Sequence, residues 1–438
     1  MARPLQLGMA GLGTVGTGVY ETLCHNHEIL EARANIPFLL KKVAVRNPAK
    51  KRSADIPGEL LTDRWEELVE DPEIDIIIEL IGGTTDAHRL VRAALEARKP
   101  VVTGNKALLA LFGAELFRLS AEKGVPLYFE ASAGGGIPII QSLQNSLICN
   151  HINSIIGIIN GTSNFILTKM EQQGVPFETA LKEAQRLGFA EADPTLDVNG
   201  KDAAHKALIL AMLAYGTPVT PDKIFVSGIE RIEPRDFEFA AKLGYTIKLL
   251  VVIRHHEETD SIELRVQPSF VPETHLLSSV NGVFNAIAVN GDIVGETIFY
   301  GRGAGKNPTA SAVIGDVVTA MRELHHPEHH TGFHPYAKPL RIMHINETKS
   351  PCYLRIRVMD RPGIIAEIAG ILAWHGISIS ATNTLDGEPD AGGVMWNDLV
   401  FIVHTCPWGR LQAALAEIAK NPDIGSDPAV IRIEKFHH

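Results

Sequence analysis

Cysteine is scarce in this chain of 438 residues: Cys24, Cys149, Cys352 and Cys406 are the only four, with no CxxC pair and no zinc-ligand spacing. That excludes a disulfide framework and reads as reduced, buried thiols. No apolar run approaches the ~18 residues a membrane-spanning helix needs. The opening MARPLQLGMAGLG has no charged region ahead of a long apolar stretch and no small-residue cleavage site, so a cytoplasmic protein is expected. Positive charge is not in excess either: the formal net charge is −10, which argues against a nucleic-acid footprint and for a small-molecule partner. Hydrophobic residues make up 45% and charged residues 21%, the balance of a globular protein, so extended disorder is excluded. There is no internal repeat. The length exceeds the ~250–300 residues at which single cores stop growing, so two or three domains are expected.

What is present begins with alternation. Gln6–Ala10, Phe38–Val45, Ile74–Ile81 and Val101–Thr103 read as strands, with helical spacing over Val15–Asn26 and Asp86–Ala97. Strands alternating with helices imply an α/β fold with a parallel sheet, whose ligands bind outside the carboxyl ends of the strands. From about residue 131 the texture becomes mixed α+β, with strands near Lys248–Arg254 and Glu263–Pro268. The stretch from His325 to Pro339 is rich in His and Pro without apolar period; it reads as a solvated linker rather than a metal site. Beyond it, Cys352–Asp360, Pro362–His375, Ile377–Leu385, Leu399–Cys406, Leu411–Lys420 and Ala429–Phe436 read as βαββαβ, a ferredoxin-like order. The expected domains are 1–130, 131–320 and 350–430, with 321–349 as linker. A βαββαβ unit buries its edges well by pairing with a second copy, so a homo-oligomer is expected.

Gly11-Leu12-Gly13-Thr14-Val15-Gly16 is a complete GxGxxG between a strand and a helix. Gly11 permits the tight turn, Gly13 lets backbone approach a pyrophosphate, and Gly16 allows close packing, with the phosphate at the helix N-terminus near Thr14 and Val15. After the second strand, where an acidic residue would hold an NAD ribose, stand Arg46-Asn47 and Lys50-Lys51-Arg52, which favours the 2′-phosphate of NADP. Lys106, just past the Val101–Thr103 strand, stands where it could bind substrate or assist proton transfer, or could simply start a helix.

The densest constellation is GFAEADPTLDVNGKDAAHK at 188–206. Asp202 and Lys206 share one helical face. The helix is apolar nearly all round beyond them, and a lysine there must be paired or used. Glu191, Asp197 and Asp202 add an acidic pocket suited to an amino-acid ammonium group; a buried ion-pair network is the alternative. Glu130, followed by Ala133-Gly134-Gly135-Gly136-Ile137, offers one carboxylate and bare carbonyls, either a hard-cation site or a tight connection. Gly301–Lys306 is a flexible loop that could close over phosphates.

Together with TGNKALLA at 103–110, EASAGGGIPII at 130–140, NGTSNFILTKM at 160–170 and GRGAGKNPTASAVIGD at 301–316, these blocks resemble homoserine dehydrogenase, and the tail with its Asp360-Arg361-Pro362-Gly363-Ile364 turn resembles an ACT regulatory domain. The resemblance implies a Rossmann-type nucleotide-binding domain, a central catalytic and dimerisation domain, and reversible reduction of L-aspartate 4-semialdehyde to L-homoserine in threonine, methionine and isoleucine biosynthesis. It implies NAD(P)H as cofactor, and the cations after the second strand favour NADP over NAD. Lys206 matches the proton donor and Lys106 a second lysine that also touches cofactor. Glu191 and Asp202 match substrate ligands, and Gly188 and Gly303 cofactor contacts. Glu130 with the carbonyls of Ala133, Gly135 and Ile137 matches a site for sodium or a similar monovalent cation. L-Threonine is implied as effector, near Asp360, Gly363, Ile364 and Asn383, in a dimer or tetramer. The chain departs from the family pattern at Gly104, usually alanine, and Ala133, usually valine. A phosphorylating semialdehyde dehydrogenase would need a cysteine nucleophile, for which Cys149 is the only candidate. A non-catalytic amino-acid sensor would account for the tail but not for a buried Lys206.

Overall fold

The computed structural model describes residues 3–325, 340–389, 393–425 and 428–436. It divides into two units, one of Met1–Asn153, Ala204–Asp222 and Phe284–Leu340, the other of Ser154–Ala203, Lys223–Val283 and Arg341–His438. These interleaved bounds differ from the sequential ranges 1–130, 131–320 and 350–430, because elements far apart in sequence complete each other's cores.

In the first unit, β1 (Leu5–Ala10), β2 (Phe38–Ala44), β3 (Leu61–Thr62), β4 (Ile76–Glu79), β5 (Val101–Thr103) and β6 (Leu127–Tyr128) form a parallel sheet in the order β3-β2-β1-β4-β5-β6. The order reverses between β1 and β4, which places a crevice at their carboxyl ends. Leu7, Met9 and Ile76–Ile78 are fully buried, as strands covered on both faces require. Helix α1 (Thr14–His25) follows β1 and packs against the Lys306–His325 helix, where Val19 and Leu23 join Val313, Val317 and Met321 in one cluster. Gly18 makes this approach possible, since a Cβ there would lie 2.8 Å from Lys306 Cγ.

In the second unit, Tyr245–His256 and Ser261–Pro272 form a long antiparallel hairpin, with Ile152–Ile158 against the first of these strands. The C-terminal segment has the expected order: strand Lys349–Met359, helix Ile364–Trp374, strands Ile379–Pro389 and Met395–Pro407, helix Trp408–Ile418, strand Ala429–Ile433. Its four strands are antiparallel, arranged fourth-first-third-second. One edge of this sheet is covered within the chain: the fourth strand pairs in parallel with Ser261–Pro272 through Ser269↔Arg432 and Phe270↔Ile433, while the second, Ile379–Pro389, stands at the sheet's end. Buried charges cross that seam. Arg265, 1% exposed, binds Glu263 at 2.7 Å and Glu434 at 2.5 Å, and Arg254 reaches Glu434 at 2.6 Å. An ion network with Arg265, Glu263 and Glu434 buried at its centre ties the tail to the strands before it.

The expected linker is shorter than 321–349. The Lys306–His325 helix occupies its start, Arg341–Ile342 pairs with Ser261–Ile262, and Lys349 already begins a strand; the rest of the His/Pro stretch, 326–339, lies outside the described residues. Cys352 and Cys406 are buried as expected, but Cys24 and Cys149 are exposed. Cys24 falls on the outward side of α1's last turn and Cys149 in a turn before Ile152–Ile158, positions that periodicity alone did not separate from core.

Candidate active site

The GxGxxG turn joins β1 to α1 within the first unit. Gly11 has φ +103°, and a Cβ there would overlap the Leu80 carbonyl; at Gly16 it would overlap the Gly11 carbonyl. At Gly13 it would meet nothing within 4 Å. Two glycines are therefore demanded by packing, and the middle one leaves open space against bare backbone. Gly13 and Thr14 are exposed, Val15 is half-buried, and no side chain caps α1, so its first N–H groups face outward for an anion. These features fit a dinucleotide pyrophosphate.

Beyond β2, Arg46, Lys50 and Lys51 are exposed. Arg52 has a different task. Its guanidinium donates to the carbonyls of Asn47 at 2.6 Å, Lys50 at 2.7 Å and Pro48 at 3.1 Å, so it shapes the loop that carries the other cations. Lys306, at the end of the loop that could close over phosphates, is ion-paired with Glu21 of α1 at 2.5 Å. Lys106 is the first residue of the Lys106–Lys123 helix, whose cap is the preceding Asn105: its Oδ1 accepts from Leu108 N at 3.1 Å. Gly104 is closely surrounded, with Ala131 Cβ 3.3 Å and Leu80 Cδ2 3.4 Å from where its own Cβ would stand.

Glu130 is 3% exposed, and its two carboxylate oxygens accept from Ile140 N at 3.0 Å and Gln141 N at 2.7 Å. Asp316, also buried, accepts from Glu130 N at 2.8 Å. Burial pushes both carboxyls up, Asp316 to about 7, and Glu130 adds to that shift. The buried carboxyls of Glu130 and Asp316 are hard oxygen ligands of the kind a cation takes, so Glu130 is compatible in chemistry with the expected group. Gly135, at φ +59°, abuts the Gly303 carbonyl, and Gly136 N donates to Arg302 O at 3.0 Å, which joins the Ala133–Ile137 turn to the Gly303 loop.

The acidic block lies in the second unit up to Ala203. Asn160, which sequence reasoning passed over, is its organiser. Its Nδ2 donates to Asp197 Oδ1 at 2.7 Å and Asp202 Oδ2 at 3.0 Å, while its Oδ1 accepts from Ser163 N at 2.8 Å as the cap of the Gly161–Gln173 helix. An Asn ahead of Gly-Thr-Ser signals a cap; its grip on two carboxylates is visible only in the folded chain. Glu191 is exposed, and among the described residues no hydrogen bond joins its carboxylate to this pair. Gly188, at φ +76°, ends the helix before it. Asp202 and Lys206 are one turn apart, about 6 Å along the Lys201–Tyr215 helix, and both are buried.

Two family models match the chain: "Homoserine dehydrogenase, NAD binding domain" over residues 11–130 and "Homoserine dehydrogenase" over 138–318. The chain belongs to the homoserine dehydrogenase family. It is accordingly an oxidoreductase with an NAD(P)-binding domain, and its activity is that of a homoserine dehydrogenase. The homoserine dehydrogenase of Pseudomonas aeruginosa is 42% identical over 99% of this chain and 100% of its own length. The crystal structure of that from Thiobacillus denitrificans matches with TM-score 0.91 at 42% identity, covering 99% of this chain and 98% of the other. A shorter hyperthermophilic archaeal homoserine dehydrogenase, solved in complex with NADPH, matches with TM-score 0.61 at 27% identity over 73% of this chain and 98% of its own. Neither family model reaches past residue 318. Among the described residues no helix is long and apolar enough to cross a membrane.

In the tail, Asp360, Gly363 and Ile364 line one cavity of about 460 Å³ together with Arg361, Thr384 and Asn397. Asn383, expected beside them, is exposed and not among its lining; its Oδ1 instead accepts from Thr384 N at 2.8 Å. On an alternating strand the neighbour, Thr384, faces the cavity. Cys149, the alternative nucleophile, is exposed, with the Asn150 amide 3.5 Å from its sulfur.

Proposed function

We propose that the chain catalyses reversible reduction of L-aspartate 4-semialdehyde to L-homoserine, with NADPH preferred over NADH, in the cytoplasmic synthesis of threonine, methionine and isoleucine. The observation that carries the reading is the buried Lys206 one turn beyond the buried Asp202, on a helix otherwise lined with apolar residues. When bound, the dinucleotide supplies or accepts the hydride. The Gly11–Gly16 turn and the start of α1 hold its pyrophosphate, Arg46 meets the 2′-phosphate, and Gly188 and Gly303 give it backbone contacts; the NADPH-bound archaeal relative supports that preference. Lys206 holds the proton that the substrate oxygen takes as the aldehyde carbon is reduced, because developing alkoxide charge requires a nearby cation or acid. Lys106 contacts both substrate and cofactor. Asp197 and Asp202, held together by Asn160, and Glu191 receive the substrate ammonium group. Glu130 with the carbonyls of Ala133, Gly135 and Ile137 would hold sodium, stiffening the turn against Gly303.

The same reading gives the C-terminal βαββαβ segment the role of an ACT-type regulatory module that binds L-threonine beside Asp360, Gly363 and Ile364 in a dimer or tetramer. The deciding experiment is NADPH oxidation with L-aspartate 4-semialdehyde in phosphate-free buffer, on the wild type and on Lys206→Ala. Turnover without phosphate that falls by roughly 10²-fold in a folded Lys206→Ala supports the assignment. A phosphate requirement, or near-normal turnover in the variant, overturns it.

A further inference from the structure

Glu79 is the last residue of β4 and is 0% exposed, a strand-end position that an apolar residue would ordinarily fill. Burial raises its pKa, and hydrogen bonds from Thr103, Ile81, Asn105 and Gly82 oppose that rise. Around it the hydrogen bonds close into a ring. The Thr103 hydroxyl, at the end of β5, donates to Glu79 Oε2 at 2.6 Å, and Ile81 N donates to Oε1 at 2.9 Å. Thr103 Oγ1 in turn accepts from Asn105 N at 3.0 Å. The Asn105 amide donates to Gly83 O at 2.7 Å, returning to the turn that leaves β4.

Two loops meet on this ring, and the phosphate turn packs against one of them. The 80–83 turn passes through Gly82 and Gly83, at φ +75° and +67°, conformations that only glycine adopts without strain. Its first residue, Leu80, donates from its N–H to Ala10 O at 2.7 Å, and its carbonyl is the group that forces glycine at position 11 of the phosphate turn. The other arm ends in Asn105, whose Oδ1 caps the helix that Lys106 begins. We infer that Glu79 is a positioning residue: through Thr103 and Asn105 its carboxyl sets where the Lys106 helix starts, and through Ile81 it sets the 80–83 turn at the carboxyl edge of β4. The inference rests on the reading that Lys106 works at the reacting centre. An apolar residue at 79 would leave the Thr103 hydroxyl and the Ile81 N–H without an acceptor, and both loops would lose their shared anchor.

The test compares Glu79→Gln, Thr103→Val, Thr103→Ser and Lys106→Ala as full-length proteins. It reads kcat and KM for L-aspartate 4-semialdehyde, the Kd for NADPH by fluorescence titration, and Tm. Misplacement of about 1 Å costs up to 10²-fold in rate. Glu79→Gln and Thr103→Val should therefore each lower kcat roughly 10-fold, with the NADPH Kd within about threefold of wild type, while Thr103→Ser, which restores the hydroxyl, recovers kcat. A fall in Tm with kcat preserved, or a loss of NADPH affinity that accounts for the whole defect, overturns the positioning role. If kcat survives Lys106→Ala, the reading of Lys106 fails and takes the inference with it. If kcat is lost in Lys106→Ala but kept in Glu79→Gln, the inference alone fails.

Discussion

Arg355 grips Asp236 with two nitrogens: Nε donates to Oδ1 at 2.8 Å and Nη2 to Oδ2 at 3.3 Å, with the Arg355 side chain 6% exposed and that of Asp236 fully buried. The Tyr353 hydroxyl adds a third bond to Oδ1 at 2.9 Å. Asp236 lies on the Pro234–Lys242 helix and both partners lie on the first strand of the C-terminal module, so this contact, with the Arg265–Glu434 pair, makes the module part of the second unit's core.

Asp236→Ala would take the buried carboxylate from Arg355 and the acceptor from the Tyr353 hydroxyl, leaving Arg355 only the half-exposed Glu233, 2.9 Å from Nη2. Losing one partner of a buried pair costs about 3–5 kcal/mol, so the variant should unfold at a clearly lower urea concentration. Cutting the chain near Thr319 should yield insoluble or unfolded protein for the same reason. A stable truncated enzyme, seen by circular dichroism and size-exclusion chromatography, would show the module to be an independent appendage.

Lys248 offers a pH test. It is fully buried in the long hairpin, donating to Val280 O and Asn281 Oδ1, each at 2.9 Å, and burial pushes its pKa down to about 8. The folded state therefore releases this proton at lower pH than the unfolded chain does. Between about pH 8 and the ordinary lysine value near 10.4, the unfolded chain binds more protons, so this group's contribution to stability rises with pH. Urea midpoints of wild type minus those of Lys248→Met, taken from pH 7.5 to 10, should increase across the range; a flat difference contradicts the assignment.

Arg46 and Arg52 should both affect cofactor choice, by different routes. Arg46→Ala removes a cation at the proposed 2′-phosphate site and should lower kcat/KM for NADPH by about 10-fold or more, with NADH nearly unchanged. Arg52→Ala frees the Asn47, Pro48 and Lys50 carbonyls and loosens the loop, so it should give a smaller loss with the same selectivity. Equal losses for both cofactors in either variant would remove that residue from the 2′ side.

Asn160→Ala takes the shared donor from Asp197 and Asp202. Two carboxylates that then repel should raise KM for the semialdehyde by roughly 10-fold, while the NADPH Kd holds; this corresponds to losing about 1.4 kcal/mol of substrate recognition. Unchanged KM would mean that this pair is structural.

Threonine sensitivity should reside in the Asp360 cavity. Inhibition of the wild type by millimolar L-threonine, relieved in full-length Asp360→Ala with basal kcat unchanged, is the expected outcome. Inhibition that survives the substitution, or is absent from the wild type, rejects the site.

Local patterns made much of this protein legible. The GxGxxG turn, the apolar β1 and β4, the βαββαβ order of the tail and the Asp202–Lys206 face follow from spacings of two to five residues, and such spacings fix strand alternation, helix phase and turn geometry directly. The exposed cations after β2 were equally plain, since an acidic residue is simply missing there.

Tertiary structure decided which of these groups meet. Asn160 reaches Asp197 and Asp202 across some forty residues, Glu79 finds Thr103 only because β4 and β5 are neighbours, Arg52 holds the carbonyls of its own loop, and Lys306 pairs with Glu21 of α1. One edge of the tail's sheet is closed by Ser261–Pro272, where Glu434 and Arg265, both buried, pair across the seam. The sequence by itself determined the elements and the kinds of chemistry they carry. Pairing between distant segments decided the partners, because a buried polar group must find its hydrogen bonds wherever the chain's path brings a donor or acceptor within 3 Å or so, and that path is not a local property.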